Sequence, residues 1–514
     1  MNHFIAGILR IVLLEAGVAL ILFARVIPRE DKPRSRKLDI AFLSLAALAL
    51  FAWGNFGALR GGGGLVHRWE QYHFFFGSKY LREVGYFDLY KATILADREE
   101  DRILARATKT RDLTSFDEVP IDQAMADAAA VRARFSDQRW SEFKADWRTL
   151  SRGDSIWIQA ITDHGNSASP AWAIFAAPIA RLSGIGRGGQ VLMGLLDIFL
   201  MAGLFAFLVA TFGLRATSLT IWLWSMVPFS FDYLAGSFLR WDWLFALGLC
   251  FCFWQRKRPL IAGICLGYAV ASKLFPLFFG VALLFQALWA LARTRKLDLR
   301  IVRFGAGAAA AMVVLVLLSS AMFGGPSIWR AYAQRIEVAQ REKFYSNQYS
   351  FKTVFLQFAA SSARELEDGL VIPGEIKQGR NDVDISQYQG AYLICQLLLT
   401  ALVALSLGRA SELEALAAGP LLVFIWLTVN AYYWNMLALP GLVWGVRALA
   451  GRRGFLAPLV FLHVALAGFY LFQHFNRGYA EGYAGGLCLL LLTLLWCATG
   501  WTRTPSRLDE SPEA

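Results

Sequence analysis

Residues 40–59, IAFLSLAALALFAWGNFGAL, lead into residues 67–90, HRWEQYHFFFGSKYLREVGYFDLY. The first stretch is apolar and long enough to cross a hydrocarbon core as a helix. The second packs Glu70, His73, Lys79, Glu83 and Asp88 among eight Tyr and Phe residues. It is too polar to be a span and too aromatic to be an idle loop. Carboxylates beside aromatic rings at a membrane surface suit the handling of a polar group carried on a lipid.

The rest of the chain repeats the first pattern. Of its 514 residues, 56% are hydrophobic and 18% charged, against about 25% charged in soluble domains. The apolar residues fall in runs of spanning length, which predicts an all-α polytopic membrane protein. About 13 spans are expected, near 4–26, 40–59, 189–211, 217–233, 239–254, 259–273, 275–292, 304–323, 390–407, 418–431, 435–450, 455–473 and 484–500. The first lacks a small-residue cleavage site and precedes a basic loop, so it reads as a span rather than a leader. The six cysteines all lie in apolar runs, which indicates neither a disulfide framework nor a metal cluster.

A net charge of +12 could point to nucleic acid. The basic residues instead crowd into short loops, which is a topology signal, and no nucleic-acid partner is expected. Residues 25–37 hold six basic and two acidic residues, and Arg256, Lys257 and Arg258 form a basic loop. Further clusters are Arg293–Arg303 and Arg447–Arg453. Alternating spans put all of these in the cytoplasm, the N-terminus outside and the C-terminus inside. Two long polar loops, 60–187 and 324–389, then share the outer side. Between Gly61 and Asn166 the first carries 15 Lys/Arg and 17 Asp/Glu, and the second carries eight of each. Both are large enough to fold into an extracytoplasmic layer of short interfacial helices. Residues 95–150 read as two surface helices around a turn at Pro120. Asp163–Leu182, broken by Pro170 and Pro178, reads as a helix in the outer interface.

Several residue groups could carry chemistry on that side. Glu70 lies just beyond the second span, where a carboxylate could take a proton from an acceptor hydroxyl, a role worth about 10²- to 10⁴-fold in rate. Asp163, followed by His164, is a second carboxylate at the same depth, or a cap for the helix ahead. His73, Lys79 and Asp88 flank Glu70 as supporting polar groups, although Asp88 reads equally as a turn residue. In GICLGYAVASKLFP, Gly263 and Gly267 permit close helix packing. Lys273 ends that helix and can snorkel to the interface or pair with a lipid phosphate. Arg240 is a second phosphate candidate, or a partner for Asp242, which is the slightly favoured reading. Asn347 and Ser350 in the second outer loop, with Tyr433 and Trp434 in the turn NAYYWNMLALP, could line a sugar pocket or form an interfacial belt. Glu15 and Asp197 fall inside spans, where an ionisable group invites a functional explanation.

The order of these features resembles the C-type glycosyltransferase superfamily, closest to family 87, which includes polyprenyl-phosphate-mannose-dependent mannosyltransferases of bacterial envelope lipids. The features are a span, an outer loop with an early carboxylate, the GxxxG helix ending in KLFP, the NQYSF loop and an aromatic turn closing in LALP. The resemblance covers about residues 40–450. It implies a transferase core over 39–450, with an extra N-terminal helix and basic loop in 1–38 and two further spans and a short tail in 451–514. It implies a polyprenyl-phosphate sugar donor, a glycolipid or glycan acceptor, membrane lipid around it, and no cofactor or metal. The family's catalytic carboxylate maps to Glu70, with Asp163 as the fallback, since the family more often has Asp near this point. The location implied is the bacterial cytoplasmic membrane. A flippase for a lipid-linked sugar and a non-catalytic partner in envelope polymer assembly are the alternatives. A flippase would place polar residues along the spans to mid-membrane, whereas here they gather at the outer ends.

Overall fold

The computed structural model describes residues 3–26, 32–60, 64–100, 103–152, 156–228, 230–341, 348–362, 388–475 and 479–501. Among the described residues helices dominate, and the strands form only two short antiparallel pairs. Each interval that the sequence marks as apolar carries a helix. Five helices among the described residues are long and apolar enough to cross a membrane: Ile5–Val26, Arg187–Phe212, Leu277–Thr294, Leu299–Met322 and Gln389–Arg409. Shorter apolar helices, among them Asp242–Gln255 and Pro259–Ser272, pack beside them. The protein is therefore helical and membrane-embedded.

Two apolar cores divide the molecule. The larger lies inside the bundle and is built around Trp222, Trp243, Trp434 and Trp444. The smaller belongs to a layer formed mostly by residues 68–185, around Phe75, Phe76, Trp147 and Trp157. Most of the aromatics in residues 67–90 fill this second core: Tyr72, Phe75, Phe76 and Tyr80 are fully buried. A buried carboxylate organises the layer. Asp97 accepts hydrogen bonds from the backbone N–H of Ile103 (3.0 Å) and Leu104 (2.8 Å) and from the Trp147 indole (3.1 Å).

Residues 95–150 differ from the expected pair of helices. Helices Leu89–Glu99 and Asp137–Ser151 flank a β-hairpin, Lys109–Arg111 with Glu118–Pro120, and two single helical turns follow it. Pro120 ends the second strand rather than turning between helices. The hairpin goes unsignalled because its strands are three residues long and show no extended alternation. The helix expected after Asp163 is Pro170–Ser183. Its N-cap is Ser169, whose hydroxyl accepts from the Trp172 N–H.

Pro259–Ser272 packs with its backbone close against Leu299–Met322. A Cβ on Gly263 would run into the Phe304 carbonyl, and one on Gly267 into the Ala308 carbonyl. In hydrocarbon, where apolar burial gives helices little reason to associate, such backbone proximity supplies the attraction. The polar ends of the bundle segregate. Arg215 bonds Asp39 and Ser35, Arg256 bonds Thr211, and Arg300 and Arg447 bond Glu412 and Glu414. The opposite ends of these helices meet the second layer. A second strand pair, Gln348–Tyr349 with Val429–Asn430, joins the second polar loop to the aromatic turn at that end.

Gly263→Ala should lower the thermal midpoint in detergent, because overpacking of this kind costs about 1–3 kcal/mol. Gly305→Ala, where an added Cβ meets open space, should leave the midpoint unchanged. Equal midpoints for the two variants would show that the helices do not pack on Gly263.

Candidate functional site

A cavity of about 680 Å³ opens where the bundle meets the second layer. Its lining includes Glu70, His73, Asp163, His164, Arg240, Lys273 and Tyr433. His67 and Tyr433, 366 positions apart in the chain, thus reach one space.

Glu70 comes from a helical segment that starts at Arg68 and widens at Tyr72–Phe76 into a π turn. Such turns hold one extra residue and recur at functional sites. The segment is docked onto the bundle by its own neighbours. The His67 N–H donates to the Gly236 carbonyl (2.8 Å), and the Gln71 amide donates to the same oxygen (3.0 Å) and to that of Gln190 (2.7 Å). Gly236 has φ +73°, and a Cβ there would strike the Leu65 carbonyl, so only glycine suits this crossing.

Arg240 lies opposite Glu70. Its Nη1 is 2.7 Å from Glu70 Oε2, and its guanidinium stacks on Phe74 at 4.1 Å. Its Nη2 donates to the Tyr433 hydroxyl at 3.2 Å. Arg240 does not pair with Asp242, as the sequence had favoured. Asp242 instead accepts from Ser272 Oγ (2.6 Å) and the Tyr268 hydroxyl (2.9 Å) on the neighbouring helix. Asp197, buried in Arg187–Phe212, takes the backbone N–H groups of Arg240 (2.9 Å) and Trp241 (3.0 Å). That accounts for one of the two ionisable residues placed inside spans. The other, Glu15, is exposed on the outside of the first helix.

Lys273 follows the last residue of Pro259–Ser272, and its ammonium lies 5.8 Å from the Tyr433 ring centroid. On the far wall, Asp163 accepts from the Trp69 indole (2.6 Å) and from His164 Nδ1 (2.8 Å). Burial works to raise the Asp163 pKa, but the bond from His164, the His73 imidazole and the Trp69 bond outweigh it, and the carboxyl titrates well below its ordinary 3.8. Asp163 is therefore a site carboxylate and not the helix cap. Both of its oxygens are engaged. Glu70 differs: Oε2 takes Arg240 and a long contact from Ser237 Oγ (3.5 Å), while Oε1 accepts no hydrogen bond among the described residues.

His73 lies at the rim but is tied into the fold. Its Nδ1 faces the Trp69 carbonyl (3.0 Å) and its Nε2 faces the Tyr90 hydroxyl (3.0 Å), which also accepts from the Gly165 N–H (2.8 Å). This pattern fits a neutral imidazole that donates from Nδ1 and accepts at Nε2.

Other expected site residues lie elsewhere. Lys79 pairs with Asp146 at 2.6 Å, and Asp88 pairs with Lys91 (3.1 Å) and Arg134 (2.6 Å); these are internal ties of the second layer and do not line the cavity. Trp434 is buried in the bundle core. Ser350 sits behind the wall and bonds Thr353 at 3.0 Å. Asn347 lies outside the described residues, but its neighbour Gln348 lines the cavity.

The cavity also includes His67, Trp69, Asp232, Asn430 and Arg335, which were not singled out from the sequence. Arg335 carried a readable signal. It shares the stripe Ile328, Tyr332, Arg335 of helix Ser327–Arg341, where an apolar residue is expected, and it is 1% exposed. Its guanidinium lies 4.2 Å from the Phe116 ring centroid and donates to the His164 carbonyl, tying the two polar loops together.

Burial lowers the His73 pKa from its ordinary 6.5, with Asp163 and Glu70 opposing only in part. Below 6.5 the unfolded chain therefore binds a proton that the folded chain resists, and stability falls as pH falls. Thermal scans by tryptophan fluorescence should show the midpoint dropping from about pH 7.5 to about pH 5, with a shallower slope for His73→Gln. Equal slopes would show that His73 is protonated alike in both states.

No protein-family model, no curated protein sequence and no solved structure matches this chain, so the reading of the cavity rests on its own chemistry.

Proposed function

We propose that this protein is a membrane glycosyltransferase. It moves a sugar, a hexose or pentose of the mannose kind, from a polyprenyl-phosphate donor to an envelope glycolipid or glycan on the extracytoplasmic face of the bacterial cytoplasmic membrane. The observation that carries this reading is the convergence of Glu70 with Arg240, Lys273 and Tyr433 in one aromatic-walled cavity at the end of the apolar helices. A proton acceptor, a cationic cradle for phosphate and rings that can stack on a sugar are the parts such a transfer needs.

The steps follow from those parts. The donor phosphate lies against Lys273 and Arg240, the acceptor hydroxyl against Glu70. Glu70 removes the hydroxyl proton as the oxygen attacks the anomeric carbon from the side opposite the phosphate. The bond from that carbon to the phosphate oxygen breaks, and the polyprenyl phosphate leaves with the electron pair. The configuration inverts, and the two cations stabilise the leaving group's charge where it develops. The Tyr233–Tyr432 pair, stacked at 5.6 Å, offers the sugar a flat apolar face.

The same reading gives the topology. Thirteen crossings, with the cavity outside and the basic clusters inside, are supported by the separation of Lys273 and Arg240 from Arg256, Arg300 and Arg447 at opposite helix ends. An enzyme is preferred to a flippase because Asp197 and Asp242 are spent on internal hydrogen bonds rather than spaced along a path through the bilayer.

Glu70→Gln should reduce sugar transfer from a labelled prenyl-phosphate donor by about 10²- to 10⁴-fold. Asp163→Asn, which removes a carboxylate already committed to His164 and Trp69, should cost less. Full transfer after both changes together would reject a carboxylate base. Mass analysis of envelope glycolipids in a strain lacking the gene would name the sugar; an unaltered glycan profile would favour a partner role in polymer assembly.

A further inference from the structure

We propose that Arg240 masks Glu70 Oε2 until the donor arrives: the donor phosphate takes Arg240 away from Glu70, and the carboxylate gains its full basicity only in the donor-loaded enzyme. The inference rests on the glycosyltransferase reading of this cavity and adds an order of binding to it.

The ion pair poses the problem. The residue best placed to accept a proton has an oxygen 2.7 Å from a guanidinium that is itself 4% exposed. In that state one face of the carboxylate is spent on Arg240 and not on a hydroxyl. The two residues assigned to opposite ends of the reaction are bonded to each other.

The geometry also supplies the way out. The Arg240 backbone cannot follow a ligand. Asp197 holds its N–H and that of Trp241, and its carbonyl accepts from the Trp243 indole at 3.0 Å. Only the side chain can swing. The guanidinium sits over the Phe74 ring, a contact without a fixed direction, so it can pivot and stay shielded. Its other nitrogen already bonds the Tyr433 hydroxyl, and the Lys273 ammonium lies near the same ring. A phosphate bound beside Tyr433 would meet both cations. Once released, Glu70 keeps only the 3.5 Å contact from Ser237.

Donor binding before acceptor binding follows from the shared use of Arg240: the phosphate takes the guanidinium first, and Glu70 Oε2 is released for the acceptor hydroxyl.

The full-length protein in detergent can be titrated with farnesyl phosphate, a short prenyl phosphate, with binding read by tryptophan fluorescence. Because Glu70 and the phosphate compete for Arg240, Glu70→Gln should tighten binding by about tenfold. The gain should vanish in an Arg240→Gln background, as a double-mutant cycle requires. Asp163→Asn, which removes an equal charge from the same cavity without touching Arg240, should give a much smaller gain. Unchanged affinity in Glu70→Gln, or a gain that survives in Arg240→Gln, would overturn the masking. So would an equal gain from Asp163→Asn. Farnesyl phosphate binding no better than farnesol or inorganic phosphate to the wild-type protein would reject the donor site itself, and the inference with it.

Discussion

Asp197 is a carboxylate buried inside an apolar helix, and burial of that kind is tolerated only where donors surround the charge. The donors here are two consecutive backbone N–H groups, those of Arg240 and Trp241. Meeting that need bends residues 236–241 into the bundle, with Gly236 and Leu239 both at positive φ. The bend presents the Gly236 carbonyl to His67 and Gln71, which seats the segment bearing Glu70. It also turns the Arg240 side chain toward that same segment. One electrostatic requirement below the cavity thus sets the relative position of its two central charges.

The cavity lies at the boundary of two independently filled cores. The bundle below is rich in tryptophan, and the layer above is knit by aromatic rings and by ion pairs such as Arg139–Glu83 at 2.7 Å. A joint between two close-packed bodies leaves space where polar groups can stay partly wet. Glu70 and Asp163, 20% and 28% exposed, sit there, while Arg240 is walled in.

Apolar run length is a local property, and every interval it marks carries a helix; polar helices such as Ser327–Arg341 give no such signal. The Gly263–Gly267 spacing was equally local and marked a close helix crossing. Glu70, Asp163, Arg240, Lys273 and Tyr433 were legible because each stands out chemically near the end of an apolar run. Pairing was not legible. Lys79 and Asp88 look like site residues in one dimension, but their partners Asp146 and Arg134 are 67 and 46 positions away. Arg240 looks matched to Asp242 two residues on, but Asp242 begins a helix and faces Ser272. Which charges neutralise one another depends on docking, and no window of sequence contains it. The composition of residues 67–90 misled in a further way: most of its rings serve the core, and only Trp69, Phe74 and the polar groups beside them reach the cavity.

The wide turn at Tyr72–Phe76 can be regarded as an insertion of one residue in an otherwise ordinary helix. Each residue in a helix advances the chain by about 100° around its axis. Removing one residue from this turn would restore regular winding and rotate everything before it by that angle relative to everything after it. Glu70 would swing off the cavity wall, and His67 and Gln71 would turn away from the Gly236 carbonyl that seats them. The extra residue in this turn thus lets one segment bury its rings in the second layer and still face Glu70 into the cavity.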